Sequence, residues 1–373
     1  MSPAARRPRA ATASRGGQAV AGWLFTLPAI VLLGLFLAIP VLMAAWVSVS
    51  DWNGRGSPFA GTVGFVGTDN YQNVLTSEGG LQARDFGTAM RNNLWYVVLV
   101  VPLQTALALG LAVLVNRQVL RGRSFFRTAF YFPSVTSSVA IVLVFTFLFA
   151  GAGPVNRVLS WLGVNGPNWF ADPRGVLHVL LGALGVDQGP AALTGSQFLS
   201  ISWWDWLAGP SVALTALIML SIFTTSGTFM LLFLAGLQNI SGEVEEAAMV
   251  DGASAWQRFR LITVPMLRQT LFTVLTLGLI GTWQVFDLVL VGTQGQPAKT
   301  TVTPAYLSYT TSFLQQNWGQ GAAIAFILFF IIIALAAFQR WVLRDRPTVS
   351  RRRRFVLSDG TFADPTHNRG GTR

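Results

Sequence analysis

Residues 236–265 read GLQNISGEVEEAAMVDGASAWQRFRLITVP, and the rest of the chain is organised around this stretch. Ser241 is placed to cap a helix whose first turn holds Glu243, with Glu245 and Glu246 just beyond, and acids there complement the positive helix end. Ala247 and Ala248 continue it with strong helix formers. Asp251-Gly252 then breaks the helix, the glycine supplying a left-handed residue. Ser254-x-x-Gln257 is a capping box that starts a second helix. Pro265 closes the segment, because the residue before a proline avoids helical angles. The pattern predicts a short helix, a glycine kink and another short helix. Small residues at Ala247, Ala248, Gly252 and Ala253 let a partner surface approach closely, although an ordinary amphipathic loop would share these features.

The segment lies between two long apolar runs, 212–237 and 267–292. A helix needs about 20 mainly apolar residues to cross a bilayer, and four further runs qualify: 20–49, 93–115, 128–150 and 322–343. Residues 176–185 form a shorter run, expected as an interfacial or loop helix. The basic, acid-free start of the chain resembles a signal peptide, but an apolar run of nearly thirty residues exceeds the 7–15 of a cleavable core. It reads as a retained first span. Composition agrees: of 373 residues, 52% are hydrophobic and 11% charged, against roughly 25% charged in soluble domains.

Charge fixes the expected sidedness, since Lys and Arg resist translocation. With the N-terminus inside, the inner segments 1–19, 116–127, 238–268 and 339–373 hold 4, 4, 3 and 9 of the 26 basic residues. The net charge of +11 is therefore a topology signal and not a nucleic-acid footprint. Arg351–Arg354 can be read as a solvated tail or as a contact for anionic membrane lipid. The expected fold is all-α: a polytopic membrane protein with six transmembrane helices and both termini cytoplasmic. Its parts are an Arg-rich tail (1–19), a six-span domain (20–344) with an inner loop at 238–265, and a basic tail (345–373). Residues 50–90 are expected to form an outer loop with little fold of its own. Residues 151–210 form a longer one, whose Trp203, Trp204 and Trp206 suit an interfacial aromatic belt.

Several chemistries are excluded. There is no cysteine, and His178 and His367 are the only histidines, which leaves no thiolate or histidine-rich metal site. A phosphate-binding G-x-x-x-x-G-K-[ST] loop is impossible, because the single lysine, Lys299, follows Ala298.

Glu246-Ala247-Ala248, three residues, Gly252, nine residues, Ile262 and then Pro265 resembles the EAA motif, E-A-A-x3-G-x9-I-x-L-P, of binding-protein-dependent ABC-importer permeases, with Val264 in place of the usual Leu. Residues 234–238 (LAGLQ), Val285-Phe286-Asp287 and residues 293–297 (TQGQP) resemble the carbohydrate-uptake branch, the relatives of maltose and glycerol-phosphate permeases. The resemblance implies the ABC-importer permease fold in a bacterial inner membrane. It implies a partnership with a second homologous permease, two ATP-binding subunits and an extracellular solute-binding protein. ATP and Mg would be held by the partner ATPase, with no cofactor on this chain. Glu246, Ala247, Ala248, Asp251, Gly252, Ile262 and Pro265 would couple to that ATPase, Glu246 through a charge-assisted contact.

The resemblance also implies that solute touches the two helices flanking the loop, which makes Phe223, Thr225, Thr228, Thr282 and Trp283 candidates. Trp283 and Phe286 offer flat faces to a sugar ring, and packing roles fit them equally. Asp287 is the only acid inside an expected span, and intramembrane acids are costly; pairing with Gln284 near the span end is the plainer account. A gradient-driven secondary transporter would show repeat halves and more intramembrane charge. A membrane transferase would need clustered Asp, Glu or His at one face. A permease for another solute, such as glycerol phosphate, would favour basic groups along the path, and no Arg or Lys lies in a span core.

Overall fold

The computed structural model describes residues 15–76, 80–116, 122–186 and 189–342. Most of both expected tails, and Arg117 and Arg121 of the first inner loop, lie outside the described residues.

The described residues are mostly helical, with one two-stranded hairpin among them, β1 (Gln197–Phe198) with β2 (Ile201–Ser202). The first expected span is α1 (Arg15–Leu33) and α2 (Ile39–Ser48), joined by a π turn at Gly34–Ala38. Pro40 explains the turn: it has no N–H and its ring crowds the preceding carbonyls, and the wider turn lets the Ile39 N–H reach back to the Gly34 carbonyl. Only the last turn of α2, at Val47 and Ser48, is buried in this chain. After the short α3 (Asp69–Leu75) comes α4 (Leu81–Asn116), 36 residues long. At 1.5 Å per residue it runs about 54 Å, far beyond a ~30 Å hydrocarbon core. It begins twelve residues before the expected span. Residues 50–90, expected to be nearly structureless, therefore contain α3 and the first turns of α4.

The third expected span is not one helix. α5 (Arg123–Val135) and α6 (Ser138–Leu148) meet at 99°. Pro133 removes a backbone donor just before the bend, and Thr136 is extended with φ −76° and ψ 144°; sharp kinks arise at such positions. α7 (Val212–Gln238) is unbroken. The inner loop follows as α8 (Gly242–Val250) and α9 (Ala255–Arg258). Residues Ala255–Met266 form a continuous arm that meets α10 (Arg268–Trp283) at 70°. The fifth expected span is also interrupted: α10 ends at Trp283 and α11 (Asp287–Gly292) begins after a break. α12 (Pro304–Tyr309) leads to α13 (Trp318–Val342). In all, four helices are long and apolar enough to cross a membrane, and the two bent pairs raise the number to as many as six.

α4 and α7 form the most extensive helix pair. Their shared core includes Tyr96 and Val100 against Leu217 and Leu220, and at the other end Ala108 and Ala112 against Met230 and Phe233. α10 joins the second cluster through Val274, and α13 packs its Leu328 and Ile332 on Val97 and Trp283. α5 crosses α7 at Gly227, where a Cβ would lie 2.4 Å from the Phe130 carbonyl and 2.5 Å from Ser134 Oγ.

Residues 151–211 fold on their own terms. Asn156 Nδ2 donates to the Gly151 and Pro167 carbonyls while its Oδ1 accepts from Trp169 Nε1, all at 2.9 Å. The 176–185 run forms the helix Val176–Ala183. The tryptophans pack within this segment. Trp204 stacks on His178 at 4.5 Å and Trp203 on Phe198 at 5.7 Å, while Trp206 Nε1 donates to the Phe198 carbonyl. Trp95 of α4 donates to the Trp206 carbonyl at 2.9 Å, which ties the loop to the helical body.

The Gly227 crossing is testable. Gly227→Ala adds a methyl group against backbone, and overpacking of this kind costs about 1–3 kcal/mol. The expected outcome is a lowered unfolding temperature in detergent, while Gly22→Ala, which meets nothing within 4 Å, leaves it unchanged.

Candidate functional site

Two regions combine exposed or unsatisfied polar groups with a defined shape: the inner loop and a cavity among the broken helices.

In the loop, Ser241 Oγ accepts the Glu243 N–H at 3.3 Å, starting α8 with Glu243 and Glu245 in its first turn. The helix ends at Gly252, whose φ is +78°. A branched or β-substituted residue resists that conformation, so the glycine sets the angle between the two arms. The Ala253 N–H folds back onto the Ala248 carbonyl at 3.0 Å. Ser254 and Gln257 then form a reciprocal capping box, with Ser254 N–H to Gln257 Oε1 at 2.7 Å and Gln257 N–H to Ser254 Oγ at 3.3 Å. Beyond Arg258 a π turn at Phe259–Thr263 holds Ile262, and Pro265 lies in the last turn (Val264–Met266) before the bend at Leu267.

Of α8, only Ala248 is buried. Glu246, Ala247, Asp251 and Gly252 are exposed, Ile262 is half-buried and Pro265 is exposed. Glu246 has no ion-pair partner among the described residues. Beside the acids stand exposed apolar groups, including Val250 at 88% and Trp256 at 66%. At its root the loop is fixed by Leu267, buried with Leu234 and Leu237.

The cavity, of about 380 Å³, is lined by α4, the α5–α6 break, α7, α10 and the α10–α11 break. Both helix interruptions open onto it: Thr136 and Ser138 from one, Gln284 and Asp287 from the other. Thr225, Thr228, Thr282 and Asp287 of the expected path line it. Thr225 Oγ1 lies 2.6 Å from Gln104 Oε1 and 2.7 Å from the Ser221 carbonyl. Thr282 Oγ1 donates back to the Gly278 carbonyl at 2.8 Å.

Three expected residues are not in this lining. Phe223, 47% exposed, stacks on Phe145 at 5.5 Å; helical rotation of about 100° per residue turns it away from the face of Thr225. Trp283 is buried against Val97, Leu328 and Ile332. Phe286 packs on Tyr306 and Tyr309.

The sequence reading missed Tyr96, Gln104, Ser221 and the bend serines Ser134 and Ser138, all of which line the cavity. Gln104 carried a usable signal, being a primary amide deep within an apolar run, where polar groups are costly. Among the lining residues Asp287 is the only carboxylate, and none is basic.

The profile of the family described as binding-protein-dependent transport system inner membrane component matches residues 104–346. The chain is 30% identical over 313 residues to a probable ABC transporter permease protein of Pyrococcus horikoshii, covering 84% of this chain and 91% of the relative. It is 30% identical to the lactose transport system permease protein LacF of Rhizobium radiobacter, covering 88% and 95%. It is 28% identical to the trehalose/maltose transport system permease protein MalF of Thermococcus litoralis, covering 85% and 91%. Among solved structures, a chain of a bacterial ABC transporter that imports the acidic polysaccharide alginate superposes with a TM-score of 0.65 at 20% identity, covering 88% of this chain and 96% of that one. A second structure of an alginate ABC transporter, in complex with a pentasaccharide-bound periplasmic protein, gives 0.66 at 20% identity, with 88% and 95% covered. The profile match and the two relatives at 30% identity place this chain in the family of binding-protein-dependent transport system inner membrane components, the permease subunits of ABC transporters, which carry no ATPase site of their own.

Proposed function

We propose that this chain is one of two permease subunits of an ATP-driven importer, forming half of the translocation path for a sugar or sugar-like solute. The observation that carries the proposal is the capped loop: two arms set by Gly252, with Glu246 exposed and without an ion-pair partner among the described residues. A fixed shape with an exposed acid and apolar neighbours suits a cleft on another protein. In this reading Glu246, Ala247, Ala248, Asp251 and Gly252 seat in the partner ATPase, and Ile262 and Pro265 hold the arm that leads to α10. ATP and Mg belong to that partner.

Six spans with both termini cytoplasmic follow if each bent pair is one crossing. The basic loops then lie inside, as the positive-inside rule requires. Residues 151–211 stand outside, where a solute-binding protein would deliver its load. A sugar is favoured by the cavity, which offers hydroxyl, phenol and amide groups and no cation, and by relatives named for lactose and for trehalose/maltose. A phosphate ester would want a basic group there.

Two experiments test this. The chain has no cysteine, so single-cysteine variants report topology directly. Val250→Cys is expected to react with an impermeant maleimide only in inside-out vesicles, and Arg157→Cys only in intact cells; the reverse pattern overturns the orientation. Glu246→Lys is expected to reach the membrane at normal levels yet lose most of the ATPase in mild-detergent pull-downs. Charge reversal at a docked acid costs several kcal/mol, so at least about a tenfold loss in recovered ATPase is expected. Normal uptake by this variant removes the docking assignment.

A further inference from the structure

Tyr96 and Gln104 sit eight residues apart on α4, about 12 Å along the axis. Each is 1% exposed, and both line the cavity. Gln104 Nε2 has no hydrogen-bond partner among the described residues, and the Tyr96 hydroxyl makes no hydrogen bond of ordinary length, although the Ser221 hydroxyl of α7 lies beside it. Buried polar groups are normally paired, so two donors without an ordinary hydrogen bond on one cavity wall need an explanation. Gln104 is held by its other end: its Oε1 accepts from Thr225 Oγ1 at 2.6 Å. That contact orients the amide, and Gly278 leaves space for it, since a Cβ there would stand 2.6 Å from Nε2. The side chain is anchored by its acceptor with its donors unused. Asn93 and Trp283 also carry unpaired polar atoms, but neither lines the cavity.

We propose that Tyr96 and Gln104 are solute-contacting residues of α4, donating hydrogen bonds to hydroxyl or ether oxygens at two depths of the cavity. One pyranose ring does not bridge two donors that far apart along a helix. The site therefore selects a solute of two or more linked sugar rings over a monosaccharide. This inference rests on the sugar-importer reading and adds to it a set of binding residues and a preference for length.

The test uses the complete importer, with its second permease, ATPase subunits and binding protein, in proteoliposomes. Labelled glucose, lactose, maltose and trehalose are the probes. The wild type is expected to take up at least one disaccharide and to take up glucose at least about tenfold more slowly. Tyr96→Phe removes only a hydroxyl that makes no hydrogen bond of ordinary length within the protein, so thermal stability in detergent is expected to stay the same or rise while disaccharide uptake falls about tenfold, the effect of one lost solute hydrogen bond. Gln104→Met keeps the side-chain length and removes the amide donors; disaccharide uptake is expected to fall in the same way, with thermal stability somewhat lowered because the Thr225 contact is lost. Binding-protein-stimulated ATP hydrolysis should persist in both. Wild-type uptake rates in both variants, or glucose carried as fast as the disaccharides, overturn the inference. An assembly that hydrolyses ATP but takes up none of these sugars also refutes it while leaving the importer reading intact. Loss of both ATPase association and uptake in the wild type refutes the importer reading itself.

Discussion

Within a bilayer there is no water to satisfy a broken backbone, so a helix that stops inside the membrane must open onto protein or onto a polar cavity. This constraint organises the structure. The α5–α6 bend and the gap between α10 and α11 interrupt two of the expected spans, and both line the same cavity. Thr136 Oγ1 returns to the Phe132 carbonyl at 2.9 Å, and Ser134 Oγ accepts the Thr228 N–H of α7 at 3.2 Å. The side chains that repair the breaks thus also make the cavity polar.

The same helices join the cavity to the inner loop. α7 carries Ser221, Thr225 and Thr228 on one face and ends just before Ser241; α10 starts at the loop and carries Gly278 and Thr282 to the cavity. They are clamped at the loop end, where Gly236 admits Thr270 and Leu267 at distances a side chain would block. The two helices are therefore packed together at the loop and both reach the cavity. The capping box gives the arm that leads to α10 a defined start.

Features that depend on local chemistry were legible in the sequence. Ser241, Gly252 and the Ser254–Gln257 pair announced their caps, and the apolar runs announced the spans. The bend at Thr136 was hidden because residues 128–150 stay apolar straight through it, and hydropathy has no term for direction. Pro133 was the available sign. The cavity was only half legible. Of the residues that the family resemblance proposed, Thr225, Thr228 and Thr282 line the cavity while Phe223 and Trp283 do not, and Phe286, offered for its flat face, packs on Tyr306 and Tyr309. Tyr96 and Gln104 went unseen because no motif surrounds them; only the folded arrangement brings α4 against the two breaks. The internal packing of residues 151–210 was hidden for a similar reason, since the tryptophans pair with His178 and Phe198, residues whose proximity the sequence does not disclose.

What remains uncovered argues for a second subunit. Gly281, Gln284 and Asp287 line the cavity and are exposed in the single chain, so one side of it is open. A carboxylate and a primary amide do not face lipid without a large penalty. A water-filled groove open to lipid along its side would also leak solute into the bilayer interface. Among the described residues nothing closes that side. The stretch Val20–Ser48 offers no closure, since it is apolar and exposed along nearly its whole length. It forms an arm that gains burial only against lipid or another protein. A polar groove open on one side and an exposed apolar arm are complementary deficits, of the kind that the second permease proposed above would meet.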